Sequence, residues 1–196
     1  MMYVVGFNGP PRSGKDTMAR MLSEHMDSRG VKLPVREVSL SMPLRRIAYS
    51  MVGYEGRHLE GPDYEDFKVT HFSAFGKTGR QLMIDIGEKF LRPCYGSKIM
   101  AKLLIQDLGD FPGVVLVKDT GFQVEAETLG GFVGANNFFT AQVHRKGCSF
   151  DFSNDSREWV THNQMSIFLN NGTLDDLRTE AGRLYGRLVN QMGWRL

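Results

Sequence analysis

An apolar, β-branched run, YVVGF (3–7), leads almost directly into GPPRSGKDT (9–17), and a periodic stretch follows. This junction constrains the chain more than any other feature. Gly9, Gly14 and Lys15 keep the register of G-x-x-x-x-G-K-[ST], a loop that cradles phosphate between a strand and a helix. Asp16 stands where that pattern has its hydroxyl, and Thr17 follows one place late. Glycine at 9 and 14 lets the backbone curl without Cβ clashes. Backbone amides around Ser13 then converge on an anion at a helix N-terminus, where the dipole adds attraction. Lys15 supplies a mobile cation for the β- and γ-phosphates, and Arg12 can fork onto phosphate or pair with an acid.

Asp16 gains roughly 0.3–1 kcal/mol from its place at a helix start. Beside a triphosphate it would repel unless a cation intervened. Mg²⁺ takes oxygen ligands and keeps several waters. Asp16 is therefore read as a Mg²⁺ ligand, direct or through water, or as a group that orients an acceptor. Thr17 is its companion, as a further ligand or as a contact for the α-phosphate.

The rest of the chain alternates between two periods. Strands are expected at 3–7, 35–40, 113–119, 136–145 and 164–172, and GVVLVKD (113–119) has the continuous apolar character of a central parallel strand. Helices are expected at 14–29, after Pro43, over GRQLMIDIGEKFL (79–91), at 96–108, at 122–129 and from Thr173 onward. Thr173 suits an N-cap with Asp176 in the capping-box place. This alternation predicts an α/β fold on a parallel sheet of about five strands. Residues 53–78 and 146–162 are polar and weakly periodic, and are expected to be exposed insertions that form lids within one domain.

Composition narrows the function classes. A formal net charge of +2 over 196 residues is too small to argue for nucleic acid or a membrane surface as partner. No window approaches the roughly 18 apolar residues of a spanning helix, and MMYVVGFNGPP does not read as a signal peptide. A cytoplasmic protein is expected. Cys94 and Cys148 follow no metal or redox spacing, and the five histidines form no zinc cluster.

Strand plus RSGKDT resembles the phage-type deoxynucleoside monophosphate kinases, and more loosely the phosphomevalonate kinases, where Gly-Lys-Asp also occurs. LSMPLR (40–45), GRQLMIDIGEKFLR (79–92), VVLVKDTGFQVEAE (114–127), DSREW (155–159) and IFLNNGTLDDL (167–177) continue the likeness in order along the chain. The resemblance implies a three-layer P-loop kinase fold with helical lids, ATP and Mg²⁺ as cofactors, a small nucleotide as substrate and the host cytoplasm as location if phage-encoded. A homodimer is left open. Phosphoryl transfer is largely positioning and charge neutralisation, so cations are needed from several segments. Lys68, Arg80 and Arg92 are the candidates for the acceptor phosphate. Arg80 and Arg92 lie about 3.3 turns apart on one expected helix, roughly 120° around its axis. Arg145 and Arg157 bracket the lid and would offset charge on the transferred group. Asp119, at the carboxyl end of a strand, suits an acid near metal or acceptor, and Asn171 in the NNGT turn is a nucleotide contact. Gly121 and Ile84 depart from the family pattern, which carries Arg and Gln there. That leaves another phosphorylated metabolite as alternative acceptor, or a nucleotide-binding regulator without transfer.

Overall fold

The computed structural model describes residues 1–150, 157–190 and 192–194. The chain forms two compact units: Met1–Leu40 with Leu104–Leu196, and Ser41–Leu103.

The first unit is built on a five-stranded sheet: β1 (Tyr3–Asn8), β2 (Val35–Val38), β5 (Val114–Val117), β6 (Phe138–His144) and β7 (Met165–Leu169), in the order β2-β5-β1-β6-β7. Every pairing is parallel, with Tyr3 opposite Val114, Asn8 opposite Gln142 and Val143 opposite Phe168. The order follows from the sequence. YVVGFN and VVLV are buried at every position and lie inside the sheet. MSIFL alternates buried Ser166 and Phe168 with exposed Ile167 and Leu169, and lies at an edge.

Tyr3, Val5 and Phe7 point to one face, where Met18, Leu22 and Met26 of α1 (Lys15–Ser28) meet Leu177, Leu184 and Leu188 of α8 (Leu174–Asn190). Each such large apolar side chain contributes about 1.5–3 kcal/mol by burial. Gly182 lets the two helices close up, since a Cβ there would sit 3.3 Å from the His25 ring. On the opposite face α7 (Gln123–Val133) packs on β1 and β6. Trp194 stacks on Tyr3, centroids 4.6 Å apart, while its indole N–H donates to Asn136 O at 2.9 Å. This is the three-layer α/β arrangement expected of a chain with a phosphate loop after its first strand. No helix among the described residues is long and apolar enough to cross a membrane.

The second unit holds α2 (Met42–Val52), α3 (Pro62–Val69), a hairpin of β3 (His71–Phe72) and β4 (Lys77–Thr78), α4 (Gly79–Asp85), a π-helical stretch (Ile86–Leu91) and α5 (Arg92–Tyr95). The stretch 53–78, expected to be an exposed insertion, is exposed or half-buried at every position but Phe67. Phe67 is fully buried among Tyr49, Tyr54 and Phe72, with centroids 4.5–5.9 Å away. Gly79 allows this, because a Cβ there would lie 2.3 Å from Phe67 O. The helix expected through Arg92 starts on a Thr78–Gln81 capping box and is not uniformly α-helical. Arg92 N–H reaches back to Gly87 O, the i→i−5 bond of a π turn. The 120° angle expected between Arg80 and Arg92 assumed one uniform helix and does not apply. The last helix of this stretch, α6 (Ile99–Leu108), leads into the first unit.

Candidate phosphate-binding site

Parallel strands bring the ends of β1, β2, β5, β6 and β7 to one edge of the sheet, and the first-unit candidates lie there. The loop after β1 has the shape its glycines predict. Arg12 has φ 65°, the only positive value at a non-glycine among the described residues, and Gly14 has φ 95°. Two left-handed residues so close turn successive N–H groups inward, as in an anion-binding nest. Holding Arg12 there costs on the order of 1–3 kcal/mol, a strain that persists only where surroundings enforce it.

Four contacts enforce it. The Asn170 amide donates to Ser13 O at 2.8 Å, and the Arg145 guanidinium reaches Arg12 O at 3.4 Å. Gly9 lies so close beneath the loop that a Cβ would meet Ser13 Oγ and Val143 O, each at 2.6 Å. Gly14 abuts Asn170 Nδ2, 2.2 Å from where a Cβ would be. The Ser13 hydroxyl is fully buried with no hydrogen-bond partner among the described residues.

Gly14 is the N-cap of α1 and has no side chain with which to cap it, so the first-turn N–H groups remain for an anion. Lys15, only 8% exposed, is the first residue of that helix. Asp16 is exposed in the first turn and Thr17 is half-buried beside it. Among the described residues no group of three or more His, Cys, Asp or Glu could hold a metal ion. One carboxylate and one hydroxyl suit Mg²⁺ shared with phosphate oxygens and water, not a metal held by protein alone.

The strand expected over 113–119 ends at Val117, so Asp119 lies two residues past β5. Its two oxygens accept from Ser39 Oγ at 2.5 Å and Leu40 N at 2.6 Å, tying together the segments after β5 and β2. Asn171 is exposed, and its Oδ1 accepts from Lys146 N at 2.7 Å. The adjacent Asn170 is the residue that touches the loop.

The expected lid is described at 146–150 and 157–162; the first two residues of DSREW lie outside the described residues. From Glu158 to Thr161 the backbone is fastened to the core. Glu158 N donates to Gly121 O at 2.9 Å, and Gln142 Nε2 donates to Val160 O at 2.8 Å. Asn8 donates to Thr120 O at 2.8 Å and Glu158 O at 2.9 Å, and accepts from Val160 N at 3.1 Å. Trp159 stacks on His144 at 3.8 Å between centroids, the rings 5° from parallel. The stem of Arg157 lies over Gly121, in the room a side chain there would need.

In the second unit the acceptor-side candidates are carried by α3 and the α4–π–α5 stretch. Lys68 pairs with Glu65 at 2.6 Å and lies 4.8 Å over the Tyr64 ring. Arg92 pairs with Glu88 at 3.2 Å. Arg80 is exposed in the first turn of α4, and Ile84 is 41% exposed. Arg45, which the sequence does not single out, is buried, lies 3.9 Å from the centroid of the Tyr64 ring and donates to Ser41 Oγ and Leu59 O. Nothing in MPLRRI separates it from Arg46. Asn8 and Asn170 did have a signal. Asn8 is the one polar residue of a fully buried strand, and Asn170 continues the buried parity of Ser166 and Phe168.

No protein-family model matches the chain, and no curated protein matches it. Among solved structures, APE1195 aligns over 96% of this chain and 96% of its own, at 15% identity and a TM-score of 0.47. The Mycobacterium tuberculosis APS kinase CysC, solved in complex with AMPPNP and APS, aligns over 94% of this chain and 97% of its own, at 16% identity and a TM-score of 0.47. Likeness at this level assigns no role to any residue here.

Proposed function

We propose that the chain is an ATP- and Mg²⁺-dependent kinase of deoxynucleoside 5′-monophosphates, giving the diphosphates and ADP. The observation that carries the proposal is the strained loop of 9–14, clamped by Asn170 and Arg145 onto an uncapped helix N-terminus that begins with buried Lys15. Loop amides and Lys15 hold the β- and γ-phosphates. Asp16 and Thr17 would hold Mg²⁺, which neutralises phosphate charge when bound. Asp119 serves by fixing Ser39 and Leu40, and Arg157 and Arg145 offset charge on the transferred group. Lys68, Arg80 and Arg92 take the acceptor phosphate. That phosphate is already an anion near neutral pH, so the transfer needs neither a general base nor a covalent intermediate; its oxygen attacks the γ-phosphorus and ADP leaves.

Gly121 and Ile84, which stand where the resembled kinases carry Arg and Gln, favour a second reading, with another phosphorylated metabolite as acceptor. A panel of dAMP, dCMP, dGMP, dTMP and hydroxymethylated analogues, with ATP and Mg²⁺, separates the two. Diphosphate formation at ordinary kinase rates, about 1–100 s⁻¹, supports the proposal. Silence on every nucleotide with ADP release on a phosphomevalonate-like compound supports the second reading. Tight ATP binding without turnover on any acceptor would make the chain a nucleotide-binding regulator.

A further inference from the structure

Gly121 lies between β5 and α7, two residues beyond Asp119. Its φ is outside the left-handed region, so its backbone does not require glycine. Space does. A Cβ there would lie 2.6 Å from Arg157 Cγ, 2.7 Å from Cδ and 3.3 Å from Cβ. The near atoms are the root and middle of the arginine side chain, not its mobile tip, so a methyl group at 121 must drive the whole stem away.

The peptide around Gly121 is held from both sides. Its N–H donates to Glu125 Oε2 at 3.1 Å, and Glu125 is 2% exposed. Its carbonyl accepts from Glu158 N at 2.9 Å, one residue beyond the arginine. The carbonyl of Glu158 accepts from Asn8, which is fully buried and immediately precedes Gly9 of the phosphate loop. A short chain of hydrogen bonds therefore ties the backbone beside Arg157 to the start of that loop, while the slot over Gly121 sets the course of its stem.

We infer that Gly121 is a positioning residue, and that it makes Arg157 a standing cation of the site in place of an arginine delivered by a closing lid. A cation already in place needs no reorganisation when phosphate charge develops, which is where preorganised groups act most strongly. Binding likewise avoids the cost of ordering a rotamer-rich side chain. The role given to Arg157 rests on the proposed function; its pairing with Gly121 does not.

The test is a cycle of wild type, Gly121→Ala, Arg157→Ala and the double variant, read by thermal unfolding and by kinase assay. Gly121→Ala should melt below wild type, and removing Arg157 in that background should restore the melting temperature to that of Arg157→Ala. In turnover, Arg157→Ala should lose about 100-fold in kcat, the scale for removal of one preorganised group. Gly121→Ala should lose at least about 10-fold, with KM for ATP within about threefold, and the double variant should be no slower than Arg157→Ala alone. A merely structural glycine would not produce this non-additive, kcat-specific pattern. Additive losses in melting temperature or in kcat overturn the inference, as does a fully active Gly121→Ala. If Arg157→Ala turns over like wild type while the melting cycle is non-additive, the pairing stands and the catalytic role of Arg157 falls. A wild type silent on every acceptor counts against the proposed function, and the melting cycle then decides the pairing.

Discussion

The Asn170 side-chain amide donates to the carbonyl oxygen of Ser13 at 2.8 Å, joining the turn after the last strand to the phosphate loop after the first. Asn170 is 9% exposed, so truncation leaves a buried carbonyl without its donor, at a cost of about 1–3 kcal/mol. Asn170→Ala is expected to weaken ATP binding about tenfold, since 1.4 kcal/mol is a factor of about ten. Asn171→Ala, at an exposed position, should change it less than about twofold. Calorimetric titration with ATP and Mg²⁺ reads both.

Gly14 and Gly30 both have positive φ, 95° and 69°. A Cβ at Gly30 meets nothing within 4 Å, whereas at Gly14 it meets Asn170 Nδ2 at 2.2 Å. Gly30→Ala should therefore cost only the left-handed penalty of about 1–2 kcal/mol, with ATP affinity unchanged. Gly14→Ala should add displacement of Asn170 and abolish measurable ATP binding. Equal effects of the two on affinity would contradict the clamp.

Much of this architecture was legible in the sequence. A continuous apolar run marked β5 as an interior strand, and Thr173–Asp176 spacing marked the start of α8. There Thr173 N and Oγ1 donate to Asp176 Oδ2 at 2.7 and 2.8 Å, and Asp176 N donates to Thr173 Oγ1 at 3.2 Å. The carboxyl-edge placement of Asp119 followed from parallel topology. What escaped was wiring between distant segments. Tyr49, Tyr54, Phe67 and Phe72 come from separate stretches at no common period, so the burial of Phe67 among three rings left no mark in the sequence. The π turn before Arg92 leaves no compositional mark. The clamp at Asn170 in place of Asn171 depends on strand parity carried one residue past the strand.

Phe67 anchors the second unit. Phe67→Ala empties a site enclosed by three rings and should cost about 3–5 kcal/mol. Amide exchange should rise across α2, α3 and α4, while β1, β5 and β6 stay protected. Uniform loss of protection over the whole chain would contradict an independent core for Ser41–Leu103.

Two histidines give the stability a defined pH sign. Burial lowers the pKa of His144 below the usual 6.5, and burial followed by the charge of Arg29 lowers that of His25. Arg29 Nε donates to His25 Nε2 at 3.4 Å, which requires an unprotonated acceptor. The unfolded chain thus takes up protons first, so these contributions are complete above 6.5 and fall as pH drops through it toward the lower folded values. Denaturation midpoints should decline from about pH 7.5 to about pH 5.5, and His25→Gln should flatten the decline. An unchanged slope in that variant would contradict the assignment.

Lys15 is where the account is most exposed to test. Titration of the full chain with ATP and Mg²⁺ should give one saturable site, and Lys15→Ala, folded by circular dichroism, should lose at least about tenfold in affinity and all measurable phosphoryl transfer. A wild type that yields no heat with any nucleotide, or a folded Lys15→Ala that binds and transfers as well as wild type, would contradict it.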